Sequence, residues 1–213
     1  MTKNYVSNKD ETVRMFQSDF LEFFSKVHPA VPTILYLPVI MYLLYLSALN
    51  NIVIQGIALY FALGLVVWTA TEYLLHRFIF HFKPVGKITE KLHFIFHGVH
   101  HDYPSDSRRL VMPPSVSIPL ALLFYYLFKQ ILGSTLIYPF FAAFLIGYLI
   151  YDNTHYAIHH FSSHNKLFLF IKKHHMRHHY KDADKGFGVS QPLWDHIFGT
   201  TFPQDKKEDT KPL

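Results

Sequence analysis

The sequence predicts an all-α integral membrane protein in which four transmembrane helices form two hairpins beneath a histidine-rich helical cap. Residues 31–50 and 52–71 are two uncharged runs of about twenty residues each, the length at which a helix spans a bilayer. A third apolar run, 110–151, is interrupted only at 129–134, which predicts two helices joined by a short turn. These runs lack the polar face that helices of a soluble core would need.

The chain divides into three predicted parts. Residues 1–30 form an N-terminal cytoplasmic or interfacial segment, residues 31–204 the membrane domain, and residues 205–213 a charged tail. Within the first part, residues 16–24 have the pattern of an amphipathic helix lying in the membrane interface. A plain linker fits those residues almost as well.

The distribution of basic residues predicts the orientation in the membrane. Nineteen of the 20 Lys and Arg residues lie in 1–31, 76–113 and 155–213, and only Lys129 lies elsewhere. Because basic loops stay in the cytoplasm, the histidine-rich cap is predicted on the cytoplasmic face. The pI near 9.2 therefore indicates topology, and we expect no nucleic-acid partner. The predicted location is a multi-pass one, in a bacterial inner membrane or the endoplasmic reticulum.

Histidine is unusually abundant and cysteine is absent. The 16 histidines concentrate in four clusters, at 76–81, 93–101, 155–160 and 174–179, all on the predicted cytoplasmic side. A chain without cysteine has no disulfide framework, no thiolate metal site and no cysteine nucleophile. Neutral imidazole is a good ligand for iron, zinc, copper and nickel. The clusters therefore predict metal binding.

Histidine spacing indicates how the ligands are arranged. The pattern H-x-x-H-H occurs at 97–101 and again at 175–179, and on a helix each trio can converge on one point. His76 and His81 are five residues apart, so they either reach two metals or hold one metal across a helix distortion. Ten ligands suit two metal ions with five each. The predicted ligands are His76, His81, His97, His100, His101, His155, His159, His175, His178 and His179.

These motifs together resemble the fatty acid hydroxylase superfamily of membrane histidine-rich dimetal enzymes, and most closely its fatty acid 2-hydroxylase branch. The resemblance covers nearly the whole chain, and all ten of the family's ligand positions map onto the ten histidines above. The segments that carry it are HRFIFH (76–81), HGVHH (97–101), RLVMPP (109–114), YDNTHYAIHH (151–160), HHMRHHYKDADKGFG (174–188) and LWDHIFGT (193–200).

The resemblance implies a reaction in which a lipid acyl chain, O2, two electrons and two protons give a 2-hydroxyacyl product and water. It implies two iron ions, because zinc has no accessible redox change, although zinc can replace iron during purification. Many relatives carry a cytochrome b5 domain, whereas about thirty residues precede the first span here. We therefore expect a separate electron donor of cytochrome b5 or ferredoxin type, and sphingolipid acyl chains as substrate.

Four further residues are predicted to orient the ligand rings through hydrogen bonds. Glu72 lies one turn before His76, and Asp152 three residues before His155. His160 and His174 adjoin the histidine motifs. Asp195 is a weaker candidate, for which an ordinary capping or surface role is favoured.

Two other interpretations remain open at the level of sequence. A related membrane oxygenase would use the same metals on sterol, carotenoid or alkyl-glycerol lipids. A structural zinc-binding membrane protein would use the same imidazoles without catalysis. A metal transporter is disfavoured, because the spans contain no acidic residue or histidine near the bilayer midplane.

Overall fold

The computed structural model describes residues 5–203, and all regular secondary structure within that range is helical. The predicted all-α class is therefore confirmed for the described residues, while the predicted tail at 205–213 lies outside them. The α-helices are α1 (Asp19–Phe24), α2 (Val31–Leu49), α3 (Ile54–Leu74), α4 (Lys87–His93), α5 (Val99–Asp102), α6 (Pro114–His160), α7 (Lys166–Tyr180) and α8 (Leu193–Ile197). π-Helical segments at Leu75–Phe80 and Phe94–Gly98 continue α3 and α4.

In the described part of the chain, three helices are long and apolar enough to cross a membrane. They are Val31–Leu49, Ile54–Phe80, which includes the π-helical segment, and Pro114–His160. Large apolar side chains such as Ile34, Ile54 and Ile131 point away from the bundle and are exposed. An apolar surface of this extent requires lipid around it. The chain is therefore a membrane protein.

Helix α6 turns back on itself at Gly133. The backbone there has φ 76° and ψ −179°, a conformation that glycine adopts without steric cost. The rings of Phe124 and Phe144 lie 5.3 Å apart between centroids, although a straight helix would separate these residues by about 30 Å. The reversal falls inside the predicted turn at 129–134. Among the described residues, the predicted third and fourth spans therefore form one continuous helical element, because the helical segments on either side of Gly133 abut without a loop.

Helices α3 and α6 pack closely because glycine lies at their contacts. A Cβ atom at Gly64 would overlap the backbone carbonyl of Phe140, and one at Gly147 would overlap the side chain of Trp68. Trp68, in turn, is almost completely buried. Since the π-helical continuation of α3 and the end of α6 carry histidines of two different clusters, this contact sets the distance between those clusters.

The N-terminal segment contains a short helix with two different faces. In α1, Phe20 and Phe23 are each 70% exposed, whereas Glu22 is 6% exposed. The carboxylate of Glu22 accepts hydrogen bonds from the backbone N–H of Met15, at 2.9 Å, and from Arg109, at 2.7 Å. The amphipathic pattern expected at 16–24 is thus present, and its placement in the membrane interface stays a prediction.

Glu22 makes the stability of this region sensitive to acid. Burial raises the pKa of Glu22, but this effect is outweighed by two backbone hydrogen bonds, from Met15 and Phe16, and by the positive side chains of Lys26 and Arg109. Together they lower the pKa from 4.5 to about 2. A depressed pKa in the folded state gives stability above the unfolded pKa, which is lost as pH falls through the folded value. We expect the unfolding temperature in detergent to drop between pH 4.5 and about 2. The Glu22→Gln variant should be less stable at neutral pH, and its deficit should shrink over that interval. A deficit independent of pH would contradict this assignment.

Candidate metal centre

The π-helical segment Leu75–Phe80 places the first two histidines on one side of the helix. The backbone N–H of His81 donates to the carbonyl of His76 at 3.1 Å, the five-residue spacing that defines a π-helix. Residues five apart then share a face, which they would not do on a regular α-helix. Of the two arrangements that the sequence left open, the structure has the helix distortion with both rings in one group.

The two H-x-x-H-H trios each divide between two groups, which differs from the expected convergence on one point. His97 and His101, which are i and i+4, face one way, and His100 faces the other. On helix α7 the i and i+4 pair is His175 and His179, while His178 faces away from them. The physical reason is that residues i and i+3 differ by about 60° around a helix. That angle is enough to reach a neighbouring site when two sites are adjacent.

Ten histidines from four segments therefore meet as two groups of five. Within each group, one ring nitrogen from every histidine lies within 4.8 Å of the others. A metal with nitrogen ligands at about 2.1 Å holds opposite ligands about 4.2 Å apart, so little adjustment is needed. The first group is His76, His81, His97, His101 and His178, and the second group is His100, His155, His159, His175 and His179.

In the first group, backbone carbonyls determine which nitrogen faces inward. His76 donates its Nδ1–H to the carbonyl of Phe187 at 2.6 Å, and His178 donates its Nδ1–H to the carbonyl of Lys185 at 2.7 Å. A carbonyl oxygen accepts only, so the Nε2 atom of each neutral ring carries a lone pair. His76 Nε2 then lies 2.9 Å from His97 Nε2. Inward lone pairs at this density are what a cation would bind.

The second group has the same inward arrangement of nitrogens. His155 Nε2 lies 2.9 Å from His100 Nε2. His175 Nε2 lies 3.1 Å from His159 Nε2 and 3.0 Å from His179 Nε2. The donor set is therefore five imidazole nitrogens, a set that suits iron, zinc, copper or nickel.

The two groups are immediate neighbours. The ring of His101, in the first group, stacks on the ring of His179, in the second, with centroids 4.2 Å apart and an interplanar angle of 18°. The rings of His97 and His100 are also adjacent, with centroids 5.1 Å apart. Two ions bound here would share one enclosed polar centre.

Burial keeps these imidazoles neutral. Burial, followed by His76 and His93, lowers the pKa of His101 to about 3. The same cause, together with repulsion from neighbouring histidines, lowers the pKa of the other ligand candidates outside the spanning segments, namely His81, His97, His100, His175, His178 and His179. Neutral imidazole is the form that binds metal.

Two of the four predicted orienting residues act on the segment 185–190, Glu72 directly and His174 through Asp195, and neither is hydrogen-bonded to a ring of the two groups. Glu72 accepts hydrogen bonds from the backbone N–H of Val189, at 2.8 Å, and of Ser190, at 2.7 Å. His174 lies 3.1 Å from the carboxylate of Asp195 through its Nε2 atom. Both residues thus act on the loop that supplies carbonyls to the first group.

The other two predicted orienting residues lie elsewhere around the centre. Asp152 is buried and its carboxylate is 3.4 Å from the backbone N–H of Met112. His160 is only partly buried, and its ring stacks on Tyr156 with centroids 4.4 Å apart. The histidines at 28, 164 and 196 are exposed.

Sequence reasoning underestimated Asp195. It is completely buried, and its two oxygens accept hydrogen bonds from the backbone N–H groups of Phe187, at 2.9 Å, and Gly188, at 2.8 Å. The available signals were the two glycines that flank Phe187, which predict a tight turn, and an aspartate seven residues after the second of them. The carbonyls of Lys185 and Phe187 have no sequence signal, because every residue has a carbonyl.

An apolar cavity of about 290 Å³ opens beside both histidine groups. His97 from the first group and His100 and His155 from the second lie on its wall. The rest of the wall is mainly apolar and comes from residues 15–25, 95–99 and 109–116 and from the C-terminal part of α6, with Asp152 among the few polar groups. Cavities that bind ligands usually have this composition, with a few polar groups at defined points.

Fold and site together define an all-helical membrane protein with two adjacent five-histidine groups beside an apolar cavity. Residues 61–200 match the family model described as fatty acid hydroxylase. The chain belongs to the fatty acid hydroxylase family, and its resemblance to the 2-hydroxylase branch is confirmed by its relatives.

Curated relatives and a solved structure agree on this membership. Dihydroceramide fatty acyl 2-hydroxylase FAH2 of Arabidopsis thaliana is 39% identical, over 89% of this chain and 80% of the relative. Fatty acid 2-hydroxylase of Rattus norvegicus is 37% identical, over 91% of this chain and 58% of the relative. The solved structure of full length scs7p, in which only the hydroxylase domain is visible, has a TM-score of 0.82 and 39% identity, over 88% of this chain and 71% of that one.

Proposed function

We propose that this protein hydroxylates C2, the α-carbon, of fatty acyl chains, including those of sphingolipids and ceramides. The observation that carries the proposal is the apolar cavity whose wall includes histidines of both groups. An acyl chain in that cavity would lie beside both metal positions at once. The names of the relatives, which include fatty acid and dihydroceramide fatty acyl 2-hydroxylases, favour this lipid class over sterols and carotenoids.

The ten histidines would hold two iron ions, five ligands to each, and zinc could take their place in a purified sample. Iron bound there supplies the one-electron and O2 chemistry that hydroxylation of an unactivated carbon requires. The electrons would come from a separate donor of cytochrome b5 or ferredoxin type. Glu72, Asp152, His160 and His174 belong to this proposal as residues that orient the site.

The protein's own residues prepare the site for an acyl substrate. Apolar side chains such as Val111 and Leu110, both buried on the cavity wall, exclude water and hold a hydrocarbon chain by the hydrophobic effect. Asp152 lies on the same wall, one turn before His155 on α6. Its carboxyl group is therefore placed where the polar end of a lipid acyl group can meet it while C2 faces the histidines.

The same proposal includes the topology. The two segments of α6 that meet at Gly133 would form the second transmembrane hairpin, and α2 with α3 the first. The histidine groups draw on the π-helical continuation of α3 and on the C-terminal end of α6, at the opposite end of α3 from the α2–α3 turn. This histidine-rich side would face the cytoplasm, because the basic residues flank it. The membrane would be a bacterial inner membrane or the endoplasmic reticulum.

Expression in a host that lacks 2-hydroxy lipids, with a reductase and electron donor supplied, tests the function. We expect mass spectrometry to detect 2-hydroxyacyl chains in the sphingolipids or free fatty acids of the expressing cells only. A protein that retains both metals but yields only hydroxylated sterols or carotenoids would support the alternative oxygenase. Product formation with zinc alone and no iron would contradict the oxygen chemistry.

Narrowing the cavity should reduce turnover without removing the metals. Val116 lies on the cavity wall and is 51% exposed, so Val116→Trp can be accommodated while its indole enters the cavity. We expect at least about a tenfold drop in 2-hydroxy product, since mismatches in apolar pockets change rates by that order. The matched control is Val66→Trp on the exposed face of α3, which should keep wild-type product and metal content. Equal activity of both variants would place the substrate elsewhere.

A further inference from the structure

The loop 185–190 contacts the two histidine groups unequally. Two of its carbonyls accept the Nδ1–H groups of His76 and His178, both in the first group. In the second group, the Nδ1 atoms of His175 and His179 are buried and have no hydrogen-bond partner among the described residues. Two rings of the first group, those of His76 and His178, are therefore fixed in tautomer and orientation by the loop, whereas the rings of His175 and His179 in the second group are not.

Asp195 anchors this loop through hydrogen bonds to its backbone. Its carboxylate accepts four hydrogen bonds, two from the backbone N–H groups of Phe187 and Gly188, one from the hydroxyl of Thr200 at 2.7 Å, and one from His174 at 3.1 Å. Phe187 therefore links Asp195 to His76: its N–H donates to the carboxylate of Asp195, and its carbonyl accepts from the ring of His76. The carboxylate has no hydrogen bond to His76 or His178, so it acts on their rings through the loop backbone.

Glu72 anchors the C-terminal end of the same loop. It accepts from the N–H groups of Val189 and Ser190 and from the Ser190 hydroxyl at 2.5 Å. Between the two carboxylates, Gly188 packs so tightly that a Cβ atom would overlap the carbonyl of Gln191. The loop is thus anchored at four consecutive N–H groups, 187–190, by two buried carboxylates.

We infer that Asp195 is a positioning residue for the first histidine group, and that the loop it anchors makes the first group the tighter of two unequal metal sites. This inference rests on the proposed dimetal site and goes beyond it by ranking the sites. Hydrogen bonds that orient a ligand ring raise its basicity and remove the entropy of ring rotation. Their loss costs about 10–100-fold in metal affinity.

The test is metal release from detergent-purified full-length protein loaded with Zn²⁺ and then mixed with excess chelator. We expect two phases, with the slow one disappearing in His81→Ala and the fast one disappearing in His159→Ala. Asp195→Asn should accelerate the slow phase by about 10–100-fold and leave the fast phase unchanged. Glu72→Gln should act in the same direction. The control is Glu22→Gln, a buried carboxylate outside the loop, which should change neither phase.

A graded variant covers the case in which Asp195→Asn does not fold. Thr200→Val removes one hydrogen bond to the carboxylate and should give a smaller acceleration of the slow phase. In a His159→Ala background loaded with Co²⁺, it should also shift the visible absorption of the remaining ion. A single release phase in the wild type, or equal acceleration of both phases by Asp195→Asn, would overturn the inference. Product analysis on the same wild-type sample tests the hydroxylase function separately.

Discussion

Replacing His100 with alanine is expected to reduce 2-hydroxy product by at least about 100-fold, more than the loss of a residue that only orients a ligand. His100 is 4% exposed, and its Nε2 atom lies 2.9 Å from that of His155. It also lies on the cavity wall. The substitution would remove one of five nitrogens from the second group and leave a space beside the substrate. Mass spectrometry of lipids from expressing cells measures the product, and metal analysis of the purified variant measures the loss of the ion.

His196→Ala is the matched control, because His196 is exposed and outside both groups. It removes the same imidazole from the same chain and should leave product and metal content at wild-type levels. Unchanged product in His100→Ala would refute the second group as part of the active site. Equal loss in both variants would point to a general effect on expression.

The sequence predicts which histidines form the site, but it does not predict how they divide into two groups. Helical spacing and family resemblance selected the same ten histidines that the structure brings together in two groups, and their role as ligands stays a prediction. The division depends on the π-helical segment at Leu75–Phe80, since on a regular helix His76 and His81 would point about 140° apart. A π-helical turn has no clear sequence signature, because it arises when outside contacts compensate a strained backbone.

The loop that supplies carbonyls to the first group was harder to predict for a different reason. Sequence patterns report side chains, whereas the acceptors for His76 and His178 are backbone carbonyls. Asp195 acts on that loop through N–H groups seven and eight residues before it. The sequence favoured a capping or surface role for Asp195, and the structure instead buries it completely.

The fold was predictable wherever it depended on the length of an uncharged, apolar run of residues. The apolar runs predicted the helices that, among the described residues, are long and apolar enough to cross a membrane, and the interruption at 129–134 contains the reversal at Gly133. Arg109 was not predictable. The sequence allowed an exposed basic loop, whereas the structure buries its guanidinium against Glu22, 87 residues away. Long-range ion pairs of this kind have no local pattern.

Substituting Gly64 with alanine should destabilise the whole bundle, by about 3 kcal/mol or more, the upper range for overpacking a close contact. A Cβ atom there would overlap the backbone carbonyl of Phe140, and a backbone atom cannot move aside as the end of a flexible side chain can. Helices α3 and α6 would have to separate. The expected result is a lower unfolding temperature in detergent and a lower yield of folded protein.

Gly56→Ala in the same helix separates this packing effect from helix propensity. Its new Cβ atom would meet only side-chain atoms of Ile52 and Val53, so the gain of about 1 kcal/mol from replacing a helical glycine should dominate. The two substitutions are chemically identical and should have opposite signs. Because α3 continues into the segment that bears His76 and α6 bears His155, separation at Gly64 would also move the two histidine groups apart. We therefore expect folded Gly64→Ala protein to lose metal, while Gly56→Ala keeps it. Equal stability of the two variants would mean that the contact at Gly64 does not set the spacing of the centre.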